Sequence, residues 1–214
     1  MTWSVFILGL GFGICFVSCL WQTLGLIRTR PKDPQEGDRR RIRRSISYSF
    51  IGAMSPFKKE SANRHWISYT MGIVFHAGSF LALFWLLIRL FSIHPPLFVV
   101  SVSKGLLWLT GTCGAALLAK RAFSPSIRRF SNMDDTFSNL LVTGFHWVSA
   151  VTMDRPESWP FLQVYAGILF FFIPLTKLRH TIYFFSARIH LALFYGVRGL
   201  WPAKAGSPWS KTKP

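Results

Sequence analysis

Acidic residues are scarce in this sequence. Eight Asp and Glu stand against 25 Lys and Arg, a formal net charge of +17. Charge of either sign is thin: 15% of residues are charged, where a soluble domain carries about a quarter. Cysteine is nearly absent. Cys15, Cys19 and Cys113 all lie in apolar segments, with no C-x-x-C and no C-x-x-C-H. That leaves no visible ligand set for an iron–sulfur cluster and no covalent haem attachment. Cys15 and Cys19, four apart on one helix face, read as small packing residues. No internal repeat or low-complexity domain occurs. The only soluble stretches are one loop and a short tail, so a separate catalytic domain has no room. Acid is also missing from every long apolar stretch. With no repeat symmetry, this argues against a small transporter or channel.

Oil is what the chain has in quantity. Half of its residues are apolar and 16% are aromatic, and the mean hydropathy is +0.32. A net charge this positive would suit a nucleic-acid binder. Here the cations sit between apolar blocks and not over one soluble face, so no nucleic-acid partner is expected. A membrane helix needs about 20 mostly apolar residues. Five stretches are predicted spans: about 3–27, 65–91, 97–119, 137–153, and one from 161 to 185 or beyond. The first follows Met1 without a basic leader region or a small-residue cleavage site, and reads as a retained anchor. The fourth is short and the least apolar.

The loops alternate. Residues 28–60 carry Arg28, Arg30, Lys32, Arg39, Arg40, Arg41, Arg43, Arg44, Lys58 and Lys59. Lys120, Arg121, Arg128 and Arg129 follow the third span, and the last group is Arg198 with Lys204, Lys211 and Lys213 of the tail of 199–214. "SIHPPL" has neither Lys nor Arg, and "DRPESWP" is near neutral. By the positive-inside rule the N-terminus lies outside and the C-terminus in the cytoplasm. The expected fold is therefore an all-α membrane protein, a five-helix transmembrane bundle forming one domain. The "RRRIRR" run reads as a topogenic loop that faces lipid or a partner.

Ionisable residues inside a membrane are costly and mark function. Six histidines occur. His94 falls in an outer loop. His65 and His76 lie eleven apart, within about 20° on one helix face and roughly 16 Å along the axis. His180 and His190 lie ten apart, about 15 Å along the axis. The two helices run antiparallel in the predicted topology. His76 then pairs in depth with His180, and His65 with His190. Two stacked imidazole pairs are what two b-type haems require. Ala77, Gly78 and Ser79 would admit a flat macrocycle, and Lys177, Arg179, Arg188, Arg64 and Lys104 are cations within a propionate's chemistry. His146, in the fourth span, stands as a further ligand, a quinone contact or a hydrogen bond to a propionate.

"FHAGSFLALFW" (75–85) and "PLTKLRH" (174–180) resemble two segments of the gamma subunit of respiratory nitrate reductase. The wider family takes in the cytochrome b subunits of heterodisulfide reductase and of dissimilatory sulfite-reductase-linked complexes. The likeness covers the second and fifth spans, and the rest only in plan. It implies His76 and His180 as ligands of one haem b, with His65 and His190 as ligands of a second. The spacings of His65 and His190 depart from the nitrate reductase branch, and His190 falls closer to the other two branches. The resemblance also implies electron exchange with a quinone, menaquinone or methanophenazine pool, near Lys177 or Arg179. Electrons would pass to or from iron–sulfur partner subunits at a prokaryotic cytoplasmic membrane. The competing reading is a haem-free membrane anchor of such a complex.

A straight helix from Phe161 to Val197 would run roughly 55 Å against a hydrocarbon core of about 30 Å. It must project from the membrane, kink at Pro174, or break near Ser186.

Overall fold

The computed structural model describes residues 3–28, 39–53 and 65–202, with side chains undescribed at Ile27 and Arg39–Arg41. Arg30, Lys32, Lys58, Lys59, Arg64, Lys204, Lys211 and Lys213 lie outside the described residues. The described chain is helical, with no strand among those residues. The long helices are α1 (Trp3–Arg28), α2 (Arg39–Ser47), α3 (Trp66–Leu90), α4 (Leu97–Phe123), α5 (Met133–Thr152), α6 (Trp159–Phe172) and α7 (His180–Val197). α1, α3 and α4 are long and apolar enough to cross a membrane, and a fourth span results if the interrupted α6–α7 stretch counts as one. α5 falls short of that measure, in keeping with its weak apolar signal.

The chain divides into two compact units, residues 1–19 with 67–179, and residues 20–66 with 180–214. In the first unit α5 is the central element. Leu141, Phe145, His146 and Ala150 are all buried, and α4 and α6 pack against it. Its start is well specified. Asn132 Oδ1 accepts from the Asp135 N–H at 3.0 Å, and the Asn132 N–H donates to Asp135 Oδ2 at 3.0 Å. This reciprocal cap satisfies two otherwise orphaned donors, and the carboxylates of Asp134 and Asp135 face the positive end of the helix dipole.

Glycines set the helix crossings in this unit. A Cβ on Gly11 would run into the backbone of Gly167, and one on Gly167 would sit 2.7 Å from the Ile7 carbonyl oxygen. α1 and α6 therefore touch backbone to backbone. Beside that crossing the Ser4 hydroxyl donates to Gln163 Oε1 at 2.7 Å, both residues buried. Small residues with polar bonds between them are how helices associate where lipid removes the hydrophobic drive. The sulfurs of Cys15 and Cys19 lie 3.7 Å apart.

The last apolar stretch is not one helix. α6 ends at Phe172, and helix resumes only with a short turn over Lys177–Arg179 and then α7. Pro174 has no N–H to continue the ladder and disfavours helix in the residue before it. The Thr176 hydroxyl closes the break by donating to the Phe172 carbonyl at 2.8 Å. Of the three expected outcomes, the interruption at Pro174 is the one found. No break occurs at Ser186, which lies inside α7.

In the second unit the basic segment, expected as a loop, contains α2 and a wider turn over Tyr48–Gly52. α2 packs against α7. The Ser45 hydroxyl donates to the Trp201 carbonyl at 2.6 Å, and that of Ser49 to the Arg188 carbonyl at 2.9 Å. Gly196 makes the approach possible, since a Cβ there would lie 2.6 Å from Ser45 Oγ. Tyr48 and Tyr195 both contact the Trp201 ring, at 5.5 and 4.8 Å between centroids.

Candidate functional site

His146 is the one fully buried histidine among the described residues. Its ring lies 4.9 Å from that of Phe75, and its Nε2 is 3.0 Å from Ser79 Oγ. Phe75 also neighbours His76, and His146 lies within electrostatic reach of the His76 ring. The structure thus gathers Phe75 and Ser79 of α3 with His146 of α5.

The protons of this cluster are constrained. The Ser79 hydroxyl has one hydrogen and two acceptors in range, the Phe75 carbonyl at 3.1 Å and His146 Nε2. If Ser79 donates to Phe75, then Nε2 carries the ring proton and donates to Ser79. Nδ1 is then a bare lone pair. If Ser79 donates to Nε2, the ring proton is on Nδ1. Nδ1 has no partner at hydrogen-bonding geometry in either case. A buried polar atom left so is costly and needs a reason.

Sequence reasoning expected Ala77, Gly78 and Ser79 to open a slot for a macrocycle. Two of the three are already used. Gly78 is buried, and a Cβ on it would collide with the Thr110 side chain. Ser79 is bonded to His146. These small residues draw α3 onto α4 and α5, and Gly114, packed under Phe75 and Thr143, does the same from α4. That part of the cradle does not fit a haem. The donor chemistry does fit: His76, with Ala77 beside it, is exposed, as are His65 and His180, and His190 is half-buried.

His76 and His146 belong to the first unit, and His65, His180 and His190 to the second. His180 is the first residue of α7, and His190 lies in its middle. His65 stands one residue ahead of α3 and not within it. No group of three or more His, Cys, Asp or Glu able to hold a metal ion occurs among the described residues. A haem iron between two imidazoles needs only a pair.

The expected propionate cations divide. Lys177 Nζ lies 2.5 Å from Asp135 Oδ1, and Arg121 lies 3.4 Å from the same oxygen. Lys104 pairs with Asp154 at 2.7 Å. Arg179 is exposed, and the Arg188 guanidinium lies over the Phe184 ring at 5.6 Å. The Lys177–Asp135–Arg121 cluster was missed from sequence. Its residues are 42 and 14 positions from Asp135, and only the α4–α5 packing and the Pro174 break join them.

The fold and site define an all-helical protein whose long apolar helices suit a lipid bilayer, with a buried histidine at its central crossing. No family model, curated protein or solved structure matches the chain.

Proposed function

We propose that this chain is a membrane cytochrome b subunit of a quinone-linked redox complex. It would carry electrons between a quinone pool and iron–sulfur partner subunits across five spans, N-terminus outside and C-terminus in the cytoplasm. The observation that carries this reading is the exposure of His76 and His180 on apolar helices. An ionisable ring turned outward from such a helix is costly in lipid. A metal accepting the nitrogen lone pair would account for it. The motifs "FHAGSFLALFW" and "PLTKLRH" add the family resemblance.

Bound haem b would supply one-electron chemistry. His76 and His180 would hold it through their ring nitrogens, and His65 and His190 would hold a second haem. His146 braces the helix that carries His76, through Ser79. Arg179 and Arg188 offer cations to propionates. Lys177 is held by Asp135 and serves the fold first, which moves the quinone contact toward Arg179.

The haem-free anchor remains the second reading, favoured by the occupied Gly78–Ser79 position. A reduced-minus-oxidised spectrum of the purified full chain separates the two. The cytochrome reading expects b-type bands and haem by pyridine extraction. His76→Ala and His180→Ala should each lose haem while the protein stays in the membrane fraction. A colourless preparation leaves the anchor reading, and unchanged haem in both variants shows that His76 and His180 are not the ligand pair.

A further inference from the structure

The basic helix α2 is docked by one side only. Ser45 and Ser49 face α7, where they bond the Trp201 and Arg188 carbonyls. Arg43, Arg44, Ser47 and Ile51 are exposed, Ile51 at 73%. At 100° per residue Arg43, Arg44 and Ser47 fall in a stripe about 100° wide on α2, away from the docked Ser45, and the wider turn that follows carries Ile51 outward. Two guanidinium groups and a large apolar side chain therefore share one outward face.

Among the described residues of this unit the charge is of one sign. No Asp or Glu occurs in 39–53 or in 180–202, the two segments that build this part of the second unit. Arg198, exposed just past the end of α7, is a further cation of the unit and lies over the Phe194 ring at 3.7 Å. Trp21, Trp66, Phe185 and Phe194 are exposed in the same unit. Exposed aromatic rings among cations are the composition of a headgroup layer, where an amphipathic ring is at home and a guanidinium meets phosphate. A docking face for an acidic protein would need no exposed Ile51 beside its arginines.

We propose that α2 is a binding site for anionic phospholipid: Arg43 and Arg44 engage the headgroup phosphates while Ile51 enters the acyl boundary. The α2–α7 contact fixes the helix in place, so the site costs little ordering when lipid binds. The inference rests on the chain being a membrane protein and not on its binding haem.

The test uses the full chain, purified in a neutral detergent, with phosphatidylglycerol or phosphatidylcholine added and retained lipids counted by native mass spectrometry. Each arginine near an anionic surface contributes about a fivefold preference. The parent should retain phosphatidylglycerol at least about tenfold over phosphatidylcholine, and added salt should weaken the preference. Arg43→Gln with Arg44→Gln should abolish the excess. Arg43→Lys with Arg44→Lys should keep most of it, which separates lost charge from lost folding. Equal retention of the two lipids by the parent overturns the proposal and turns the face over to an acidic protein partner. Undiminished preference in the double Gln variant overturns it as well.

Discussion

At the scale of the residue, His146 and Asp135 show what the environment adds to a side chain. The six histidines can all be found by reading the chain, because an ionisable group in an apolar run stands out. Which of them is buried cannot. On α5 the buried positions include Ser138, Thr143, Ser149 and Thr152 as well as Phe145. In lipid, small polar residues pack inward and large apolar ones point out, so polarity no longer marks the exposed side. Asp135 carries a cleaner expectation. Its side chain is only 14% exposed. The Lys177 ammonium, bonded to the carboxylate, holds it below the ordinary carboxylate range against the cost of burial, with the Asn132 N–H and Arg121 assisting. A lowered folded-state value means stability that is complete above the unfolded value of about 3.9 and is lost as pH falls through the folded one. Asp135→Ala should cost about 1–2 kcal/mol at neutral pH, from the cap and the charged bond together. Thermal melts in detergent should show the parent and variant converging below about pH 4. A gap that stays constant to pH 2 would show that the ion pair contributes nothing.

At the scale of the element, lengths and breaks were legible where backbone chemistry dictates them. α1, α3 and α4 fall close to the predicted spans, since about 20 apolar residues without proline leave the backbone no other way to satisfy its hydrogen bonds in lipid. Pro174 ended α6 for the reason proline always does. α2 was not foreseen. Its run of arginines looks like a solvated loop, and its helix depends on Gly196, about 150 positions later in the chain, leaving room for Ser45. Gly196→Leu should lift α2 from α7. Trypsin would then cut after Arg43 and Arg44 about fivefold faster or more, as expected when a docked segment opens locally. Unchanged cleavage at those two sites would mean that α2 is held by something other than this contact.

At the scale of the whole molecule, the outer surface is the telling feature. Phe6, Phe12, Phe80, Phe84, Leu97 and Phe98 are all exposed, and helices carrying such rings outward need lipid around them. The chain should stay in the pellet when membranes are washed with alkaline carbonate and leave it only with detergent. Release by carbonate alone would contradict integral insertion.

Composition and hydropathy by themselves determined that this is an all-helical protein for a membrane, because scarce charge and long apolar runs admit few alternatives. The histidine spacings followed directly from helix geometry. Only the tertiary structure decided that Gly78 and Ser79 serve packing, that Lys177 belongs to Asp135, and that His146 sits against Phe75 and Ser79. Each of these depends on which helix lies against which, and that is set by small residues at crossings far apart in the chain, whose shapes match only once the helices have met.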